Sequence, residues 1–426
     1  MRGAEAVLAC LREQDVDTVF GYPGGMILPL YDALYGQTEI RQILVTHEQN
    51  AAHAADGYAR ATGRVGVCIA TSGPGATNLV TGIATAYMDS IPMVAITGQV
   101  DLEMLGRDAF QETDILDVTM PVTKHNYKIK NAADLVPTIR EAFALARSGR
   151  PGPVLIDVPR NLFFEEVAYT AQKLVEHQPG KPDADFIICA AEAAAEIVNA
   201  ERPLVIVGGG VISAGASAET VAFIEKYQLP VVHTLMGMGA VPSTHPQMLG
   251  FIGMHGAKAA NYAVGAADLV IALGSRFADR LTGNLSKFTA NRRFIHIDID
   301  PAEIDKIVGS SIGLAGDMRV VLNLLMRKEP KRDHTAWWQQ IHMWQEKFED
   351  DYHVDSLTVP WALHQVARMT AGKPYAYVTD VGQHQMWAAL HLRVEEPRTW
   401  LTSGGLGTMG YGLPAAMGAQ IAWGDQ

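Results

Sequence analysis

Short apolar runs alternate with amphipathic stretches through about the first 160 residues of the chain. The apolar runs predict strands at 18–21, 40–45, 66–70, 93–97 and 154–158. Apolar positions at helical spacing predict helices between them at 49–62, 76–88 and 132–148. Strands that alternate with helices imply right-handed crossovers and a parallel sheet that is covered on both faces.

The same alternation returns twice further along the chain. The second block has predicted strands at 203–207, 230–233, 269–273 and 294–299. The third block begins with a helix at Pro360 and has predicted strands at 375–379 and 399–402. Polar segments separate the blocks. In the later of these segments, the tryptophans at positions 337, 338 and 344 fit one helix face, which is more typical of a packing seam than of a ligand site.

These patterns predict an α/β protein with three doubly wound parallel-sheet domains, the third incomplete. The predicted domains cover residues 1–162, 186–328 and 360–426, with connecting segments at 163–185 and 329–359. The last block is short for a domain of this kind and ends on polar residues after a helix. We therefore expect the chain to stop inside its third domain.

Composition narrows the class of protein. Hydrophobic residues make up 48% of the chain and charged residues 19%, which is typical of a globular protein. With 34 Lys+Arg against 46 Asp+Glu, the net charge is −12, so the basic face of a nucleic-acid or anionic-membrane binder is not expected. Three widely spaced cysteines predict neither a disulfide framework nor a zinc knuckle. Without an apolar run of transmembrane length or a signal-peptide pattern, we expect a cytoplasmic protein.

Glycine-rich turns between a strand and a helix are candidate ligand sites. Gly73, Pro74 and Gly75 stand at such a junction, where backbone N–H groups can face an anion. The stretch 203–216 is similar to a dinucleotide-binding turn, but Ser213 stands where the third glycine belongs. Taken alone, both turns stay open between a structural and a ligand-binding role.

Glu48 is a candidate for acid–base chemistry because it begins an alanine-rich helix just after a predicted strand. One interpretation is a helix N-terminal charge that matches the macrodipole. The other is a carboxyl in a low-dielectric setting that exchanges a proton with a bound heterocycle. His47 and His53 miss the i, i+4 spacing of a zinc-binding HExxH motif, so zinc is not expected here.

Eleven motifs occur in order along the chain, among them GYPGGMILPLYDAL (21–34), THEQNAAHAADGYARATG (46–63), IATSGPGATNLVTGIA (69–84), DAFQETDILDVT (108–119), GSRFADR (274–280) and TSGGLGTMGYGLPAAMGA (402–419). Together they resemble the catalytic subunit of the acetohydroxyacid (acetolactate) synthase family. The resemblance extends over the whole chain. It implies a thiamine-diphosphate enzyme with a pyrimidine-binding domain, a central FAD-binding domain and the first part of a diphosphate-binding domain.

The resemblance also implies an activity and partners. The family joins two 2-ketoacids with loss of CO2, which gives acetolactate or acetohydroxybutyrate for valine, leucine and isoleucine biosynthesis. Its cofactors are thiamine diphosphate, Mg²⁺ and FAD. Its sites lie between subunits, so a homodimer or higher oligomer is expected, with a small regulatory subunit possible. The family's Mg²⁺ site is expected to follow Gln426.

The resemblance also implies roles for individual residues of this chain. Glu48 would hydrogen-bond the aminopyrimidine ring of the thiamine cofactor. Gly25, Phe110 and Gln111 would lie beside the reacting carbonyl, and Arg276 would contact the carboxylate of the second ketoacid. The other thiamine diphosphate contacts would be Gln383, His384, Gly407, Thr408 and Met409. The FAD contacts would be Arg150, Gly208, Gly209, Thr234, Leu235, Ile252, Gly253, Met254, His255, Gly274, Ser275, Arg276, Phe277, Asp298, Ile299, Gly316 and Asp317.

Three alternatives stay open at this point. The chain is either the synthase, another thiamine carboligase or pyruvate oxidase, or an inactive remnant that folds and binds FAD or partner chains. A dehydrogenase hypothesis rests on the 203–216 turn alone and explains none of the other motifs.

Overall fold

Two compact units make up the chain, and the computed structural model describes residues 1–174, 180–349 and 356–424. The first unit comprises Met1–His177, Val378–Val381 and Leu401–Gln426. The second comprises Gln178–Tyr377 and Gly382–Trp400. Each unit contains a six-stranded sheet.

The first unit alternates strands and helices as the sequence pattern predicts. Its strands are β1 (Thr18–Gly21), β2 (Arg41–Leu44), β3 (Gly66–Ala70), β4 (Met93–Gln99), β5 (His125–Lys128) and β6 (Pro153–Pro159). Its helices are α1 (Gly3–Glu13), α2 (Leu28–Tyr35), α3 (Glu48–Thr62), α4 (Pro74–Asn78), α5 (Val80–Asp89), α6 (Ile115–Thr119) and α7 (Leu135–Arg147). Short 3₁₀ helices lie at Leu102–Met104, Met120–Val122, Ala132–Asp134 and Arg160–Phe163.

All six strands of this sheet are parallel, in the order β2-β1-β3-β4-β6-β5. Successive side chains of a strand point to opposite faces. In β3, Val67 and Ile69 therefore join the apolar cluster that contains α1 and α7, whereas Cys68 joins the cluster that contains α3 and α5. Helices cover both faces, which is why β3 is apolar at every position, although the other central strands β4 and β6 also contain Thr97, Gln99 and Asp157.

The second unit repeats this architecture. Its strands are β7 (Pro203–Val207), β8 (Val231–His233), β9 (Met248–Phe251), β10 (Leu269–Leu273), β11 (Arg293–Asp298) and β12 (Ile312–Ala315). Its helices are α8 (Ala184–Asn199), α9 (Gly209–Ser213), α10 (Ser217–Tyr227), α11 (Lys258–Ala266), α12 (Asp279–Thr282), α13 (Leu285–Thr289), α14 (Met318–Leu325), α15 (Thr335–Lys347), α16 (Val359–Thr370) and α17 (Gln383–His391), with a 3₁₀ turn at Leu235–Gly237. The strand order is β12-β11-β10-β7-β8-β9, again parallel throughout.

A small third sheet pairs β13 (Tyr377–Val378) with β14 (Trp400–Leu401). Helix α18 (Gly412–Trp423) follows β14 and belongs to the first unit. It packs closely against α3, because a Cβ placed on Gly418 would overlap the carbonyl oxygen of Ala54. The α/β class with parallel sheets is therefore confirmed, while the bounds of the three domains stay a prediction.

The pattern found the central strands and the edge strand β2, and it missed the other three edge strands. The predicted strands at 66–70, 203–207 and 269–273 match the structure residue for residue. The strands it missed, β5, β9 and β12, all lie at sheet edges. An edge strand is paired on one side only, so its sequence need not be a continuous apolar run.

Two helical predictions have different outcomes. The stretch predicted as one helix at 76–88 is two helices, α4 and α5, which meet at Leu79. The tryptophan seam of α15 is confirmed. Trp337 is buried and its indole N–H donates to the carbonyl of Pro203 at 3.0 Å, while Trp344 packs edge-on against it.

Candidate cofactor and catalytic site

Glu48 lies at the first position of α3, and three residues separate it from Leu44 at the end of β2. The N-cap of this helix is His47, whose Nδ1 accepts a hydrogen bond from the backbone N–H of Gln49. The Glu48 side chain is only 8% exposed, and its Oε2 accepts a hydrogen bond of 2.9 Å from the side-chain amide of Asn78 in α4. A carboxylate that only complements the helix macrodipole could face solvent. This side chain is instead buried inside the unit, where it needs a hydrogen-bond partner.

The loop after β1 packs onto the end of β3. The backbone N–H of Met26 donates to Oγ1 of Thr71 at 3.2 Å. A Cβ on Gly24 would lie 2.5 Å from Cγ2 of Thr71, so only glycine fits at this point. The next residue, Gly25, borders open space, with no atom within 4 Å of where its Cβ would be. The loop therefore leaves room beside Gly25 at the carboxyl edge of the sheet.

The glycine turn between β3 and α4 contacts Gln111. Gly73 has a φ of +59°, which favours glycine, and a Cβ there would lie 2.9 Å from both Cβ and the carbonyl oxygen of Gln111. A Cβ on Gly75 would lie 3.3 Å from Oε1 of Glu48. This turn thus stands between the predicted residues Glu48 and Gln111. Phe110 is 81% exposed.

The loop that carries Phe110 and Gln111 has its own internal brace. The Glu112 carboxylate accepts hydrogen bonds from the backbone N–H groups of Gly106, at 2.5 Å, and Ala109, at 2.9 Å. These bonds, the one from Gly106 first, lower the pKa of Glu112. The carboxylate therefore stays ionised and shapes the loop near neutral pH.

A second glycine-rich segment, 403–412, belongs to the same unit and is fixed by acidic side chains. Asp89 accepts from the backbone N–H groups of Gly404 and Gly405 at 3.0 and 2.7 Å. Asp380 accepts from those of Gly410 and Gly412.

The predicted residues Gly407, Thr408 and Met409 lie within this braced segment. The Thr408 hydroxyl shares a 2.7 Å hydrogen bond with that of Thr85. Met409 is 79% exposed, so an apolar side chain projects from a rigid loop.

Beneath this segment lies a buried ionic network. Arg60 pairs with Asp56 at 2.6 Å and with Asp89 at 2.9 Å, and Tyr411 donates its hydroxyl proton to Asp56 at 2.6 Å. Burial alone would lower the pKa of Arg60, but the facing carboxylates raise it well above its ordinary value. Arg60 is therefore charged at any physiological pH, and the network links α3 and α5 to the glycine-rich segment.

In the second unit, the carboxyl end of the sheet is built by close approach of glycines. A Cβ on Gly208 would overlap the carbonyl oxygen of Gly274. The N–H of Gly210 donates to that same oxygen at 3.1 Å. The turns after β7 and β10 thus touch through their backbones, and no larger residue fits between them.

Two buried histidines lie beside these turns. Burial lowers the pKa of His233 to about 4, although its Nδ1 bond to the carbonyl of Thr234 acts in the opposite direction. Burial also lowers the pKa of His296, which outweighs the opposing effect of Asp298. His296 donates from Nε2 to the carbonyl of Ser275 at 2.9 Å, while its buried Nδ1 has no partner among the described residues. Both imidazoles are therefore neutral near pH 7.

The residues predicted for FAD follow the strand ends of the second sheet. They come after β7 (Gly208, Gly209), β8 (Thr234, Leu235), β9 (252–255), β10 (274–277), at the end of β11 (Asp298, Ile299) and after β12 (Gly316, Asp317). Asp317 also caps α14, since its carboxylate accepts from the N–H groups of Arg319 and Val320. Arg150 alone of this set belongs to the first unit, where its Nε donates to the Ser90 hydroxyl.

The predicted thiamine set is distributed over both units. Gln383 and His384 lie exposed in the first turn of α17 in the second unit, whereas Glu48, Gln111 and the 407–409 residues belong to the first. Arg276 is half-buried after β10. These assignments to a cofactor remain predictions.

Sequence reasoning missed the residues that brace the site: Asn78, Asp56, Arg60, Asp89 and Asp380. Asp56 and Arg60 look like an ordinary i, i+4 surface pair, and only the fold brings Asp89 to them. One signal was available for Asn78, because a polar residue closes the short helix after the glycine turn.

Three further features concern metal ligands, membrane-spanning helices and cysteine thiols. Within residues 1–174, 180–349 and 356–424, no group of three or more His, Cys, Asp or Glu side chains is arranged to hold a metal ion. Across the same residues, no helix combines the length and apolar character that crossing a membrane requires. Cys10, Cys68 and Cys189 are free thiols.

Comparison with known proteins agrees with this geometry. Residues 1–118 match the thiamine pyrophosphate enzyme N-terminal TPP-binding domain, 190–325 the central domain, and 380–426 the C-terminal TPP-binding domain. The acetolactate synthase large subunit of Parasynechococcus marenigrum (strain WH8102) is 48% identical over 100% of this chain and 70% of its own length. The chain belongs to the acetolactate synthase large-subunit family.

Two further relatives show how widely this family extends. The acetolactate synthase isozyme 3 large subunit of Escherichia coli (strain K12) is 45% identical over 99% of this chain and 75% of its own length. The probable acetolactate synthase large subunit of Methanocaldococcus jannaschii is 46% identical over 99% of this chain and 74% of its own length. The acetolactate synthase family resemblance and the assignment to thiamine pyrophosphate enzymes are thus confirmed.

Proposed function

We propose that this chain catalyses the decarboxylative condensation of two pyruvate molecules, or of pyruvate and 2-ketobutyrate, to acetolactate or acetohydroxybutyrate. The observation that carries the proposal is the buried Glu48 carboxylate, held by Asn78 beside the glycine turn that contacts Gln111. Membership of a family whose relatives are named acetolactate synthase large subunits supports the same conclusion. The pathway served would be branched-chain amino acid biosynthesis.

The first unit fits a thiamine diphosphate cofactor. Gly25 borders open space at the carboxyl edge of the sheet, and Glu48 presents a buried oxygen beside Gly75. The cofactor supplies an electron sink for the carbonyl carbon that loses CO2. Asn78 fixes Oε2 of Glu48, so Oε1 is the oxygen that would hydrogen-bond the aminopyrimidine ring and hold a proton there.

Other residues of the chain would bind and orient the reactants. Gln111 and Phe110 would line the reacting carbonyl, and the exposed Phe110 ring would exclude water from it. Gly407, Thr408 and Met409, together with Gln383 and His384, would hold the thiamine cofactor. Arg276 would bind the carboxylate of the second ketoacid through its planar guanidinium.

The second unit fits FAD. The turns after β7 and β10 touch without side chains, and the unpartnered Nδ1 of the buried His296 offers a polar contact. Parallel sheets of this kind bind ligands outside the carboxyl ends of their strands, where the predicted FAD residues lie. Their role is to bind the flavin, and no catalytic step is assigned to it.

Magnesium, oligomeric state and location rest on family membership. Within the described residues, no cluster of carboxylates or histidines is arranged to hold Mg²⁺. We propose a homodimer with sites between subunits, a small regulatory partner subunit of the kind that the relatives' name "large subunit" suggests, and a cytoplasmic location.

Product analysis tests the proposal. The purified chain is incubated with pyruvate, thiamine diphosphate, Mg²⁺ and FAD, and the products are identified by mass spectrometry. We expect acetolactate and CO2. Acetate with hydrogen peroxide would instead identify a pyruvate oxidase, and failure to consume pyruvate with FAD still bound would identify a non-catalytic flavin-binding chain.

A further inference from the structure

Asp89 is a buried carboxylate at an unfavourable place in the first unit. It is the last residue of α5, and its side chain has no exposed surface. A negative charge at the C-terminal end of a helix opposes the macrodipole. A buried carboxylate also costs free energy unless it is paired and hydrogen-bonded. The contacts of Asp89 therefore have to offset both costs.

Three donors contact the Asp89 carboxylate. Its Oδ2 accepts from Nη2 of Arg60 at 2.9 Å and from the backbone N–H of Gly404 at 3.0 Å, and its Oδ1 accepts from the N–H of Gly405 at 2.7 Å. A guanidinium and a backbone N–H can donate but cannot accept. Both oxygens of this side chain therefore have to be acceptors. An asparagine has one acceptor oxygen, so in either orientation its NH2 group would face at least one of these donors.

Arg60 fixes the orientation of this carboxylate from the other side. The buried guanidinium donates from Nε to Oδ1 of Asp56 at 2.6 Å and from Nη2 to Asp89. Asp56 also accepts from the Tyr411 hydroxyl. Because the guanidinium is planar and its donors point in fixed directions, its bond to Asp56 aims Nη2 at Asp89. The Asp89 carboxylate is thus held by Arg60 while it holds the backbone at 404–405.

The segment 403–409 lies directly on the last turn of α5. A Cβ on Gly405 would lie 2.8 Å from Oδ1 of Asp89, so glycine is needed for this close approach. One turn earlier on the same face of α5, the Thr85 hydroxyl shares a hydrogen bond of 2.7 Å with that of Thr408. The helix therefore fixes the segment at two points, near its beginning and at Thr408.

We propose that Asp89, oriented by Arg60, is a positioning residue that sets the conformation of the 403–409 segment and thereby the affinity of the chain for thiamine diphosphate. The proposal deepens the proposed function and rests on it, because Thr408 and Met409 are assigned there to the thiamine cofactor. Asp89 is buried beneath the segment, so it acts through the backbone and not through contact with a reactant. The affinity for the cofactor, rather than the rate of the chemical step, is the quantity that Asp89 controls.

Asp89→Asn tests this role because it keeps the size of the side chain and removes one acceptor. We expect the KM for thiamine diphosphate in acetolactate formation to rise roughly tenfold to a hundredfold, because the 404–405 backbone loses a charge-assisted hydrogen bond. The kcat at saturating cofactor should change by less than about threefold. A side chain that only stabilised the fold would instead lower the amount of active protein, and so kcat, without changing this KM.

Gly405→Ala displaces the same segment and leaves the charges of Asp89 and Arg60 in place. The added Cβ would lie 2.8 Å from Oδ1 of Asp89 and 2.9 Å from Cβ of Met88, so the segment has to move away from α5. We expect the KM for thiamine diphosphate to rise again, with little change in kcat. If Asp89→Asn does not yield folded protein, Gly405→Ala decides for or against the proposal.

Two substitutions in the same unit are matched controls. Asp17→Asn removes a carboxylate that pairs with Arg64 at 2.8 Å and not with the 403–409 segment. Gly36→Ala adds a methyl group where the nearest listed contact, the carbonyl oxygen of Ala33, would lie 3.9 Å away. Both should leave the KM for thiamine diphosphate unchanged. A rise in either control as large as that in Asp89→Asn would overturn the assignment to Asp89.

Calorimetric titration of the purified protein with thiamine diphosphate and Mg²⁺ measures the affinity without any turnover. Asp89→Asn and Gly405→Ala should bind the cofactor roughly tenfold to a hundredfold more weakly than wild type. Unchanged affinity in both variants would overturn the positioning role. If wild type binds the cofactor but makes no acetolactate, the proposed function fails, and these affinities alone then decide for or against the positioning role.

Discussion

In the first unit, buried carboxylates lie at or near the carboxyl ends of the sheet strands. In the second unit, glycines and neutral histidines lie at the corresponding ends. Glu48 and Asp157 are buried at or near one edge. Gly208 and Gly274 meet at the other, beside His233 and His296. Both sheets are six-stranded and parallel, so the architecture is shared and the chemistry is not.

This difference indicates what the carboxyl end of each sheet is suited to do. We call these ends the first edge, in the first unit, and the second edge, in the second unit. Buried carboxylates have charge states that respond to their surroundings, which is what proton transfer requires. Backbones that approach without side chains bring N–H and C=O groups close to a ligand, which is what cofactor binding requires. The first edge is therefore the candidate catalytic one and the second the candidate binding one.

Glu48→Gln should break the first edge with the largest effect. The amide keeps a hydrogen bond to its surroundings but cannot hold the proton, so acetolactate formation should fall by about 10²- to 10⁴-fold. Steady-state turnover with pyruvate measures it. Glu39→Gln is the control, since Glu39 is exposed and pairs only with Arg12 among the described contacts. A loss of less than tenfold in Glu48→Gln would remove the carboxylate from the mechanism.

Arg60→Met should destabilise the first unit by about 3–5 kcal/mol, because it leaves Asp56 and Asp89 buried without a cation. Urea denaturation followed by circular dichroism measures the loss. Arg12→Met removes the same charge from an exposed pair and should cost no more than about 1 kcal/mol. Equal losses in the two variants would show that the buried network does not hold the unit.

Gly208→Ala should break the second edge at a smaller cost, about 1–3 kcal/mol, since its Cβ would overlap the carbonyl oxygen of Gly274. Flavin content should fall with it. Gly265→Ala is the matched control, because this helical glycine faces open space, and it should stabilise α11 by up to about 1 kcal/mol. Retention of full flavin content in Gly208→Ala would separate the glycine contact from cofactor binding.

The pH dependence of stability should have opposite signs at the two edges. The pKa of Asp157 is raised from 3.8 to about 7, so the stability it contributes is present at acid pH and lost as pH rises towards 7. The pKa of His233 is lowered from 6.5 to about 4, so stability is lost as pH falls from 6.5 towards 4. Between pH 4 and 6.5 the two contributions oppose each other in the wild type, so each slope should appear in thermal unfolding only when the other group is removed.

Single variants assign the two slopes. In thermal unfolding from pH 4 to 8, Asp157→Asn should leave stability that rises with pH up to about 6.5, and His233→Gln should leave stability that falls with pH up to about 7. If each variant changed the slope assigned to the other, the comparison between the edges would be wrong.

Sequence patterns predicted the parts of this comparison that are local. Gly73 and Gly208 were visible because a glycine turn between an apolar strand and a helix is a continuous segment. Glu48 was visible because it begins a helix shortly after a strand, although two roles stayed open for it. Gly274 lies far along the chain from Gly208, and their contact is set by the pairing of β7 with β10.

The groups that brace the first edge were hidden for the same reason. Gln99 and Asp157 interrupt apolar strands, and only strand pairing shows that they face each other. Asp89 accepts hydrogen bonds from the backbone at 404–405, although more than three hundred residues separate them along the chain. Long-range contacts of this kind leave no periodic signal in the sequence, so composition and spacing could not predict them.

Turnover per bound flavin, measured in Glu48→Gln and Gly208→Ala, tests the division between the two edges most directly. We expect Glu48→Gln to keep its flavin and to lose turnover per flavin by at least about 100-fold. We expect Gly208→Ala to lose flavin, while each molecule that still holds flavin turns over at nearly the wild-type rate. The reverse pattern, with flavin lost from Glu48→Gln and turnover per flavin lost from Gly208→Ala, would contradict this division.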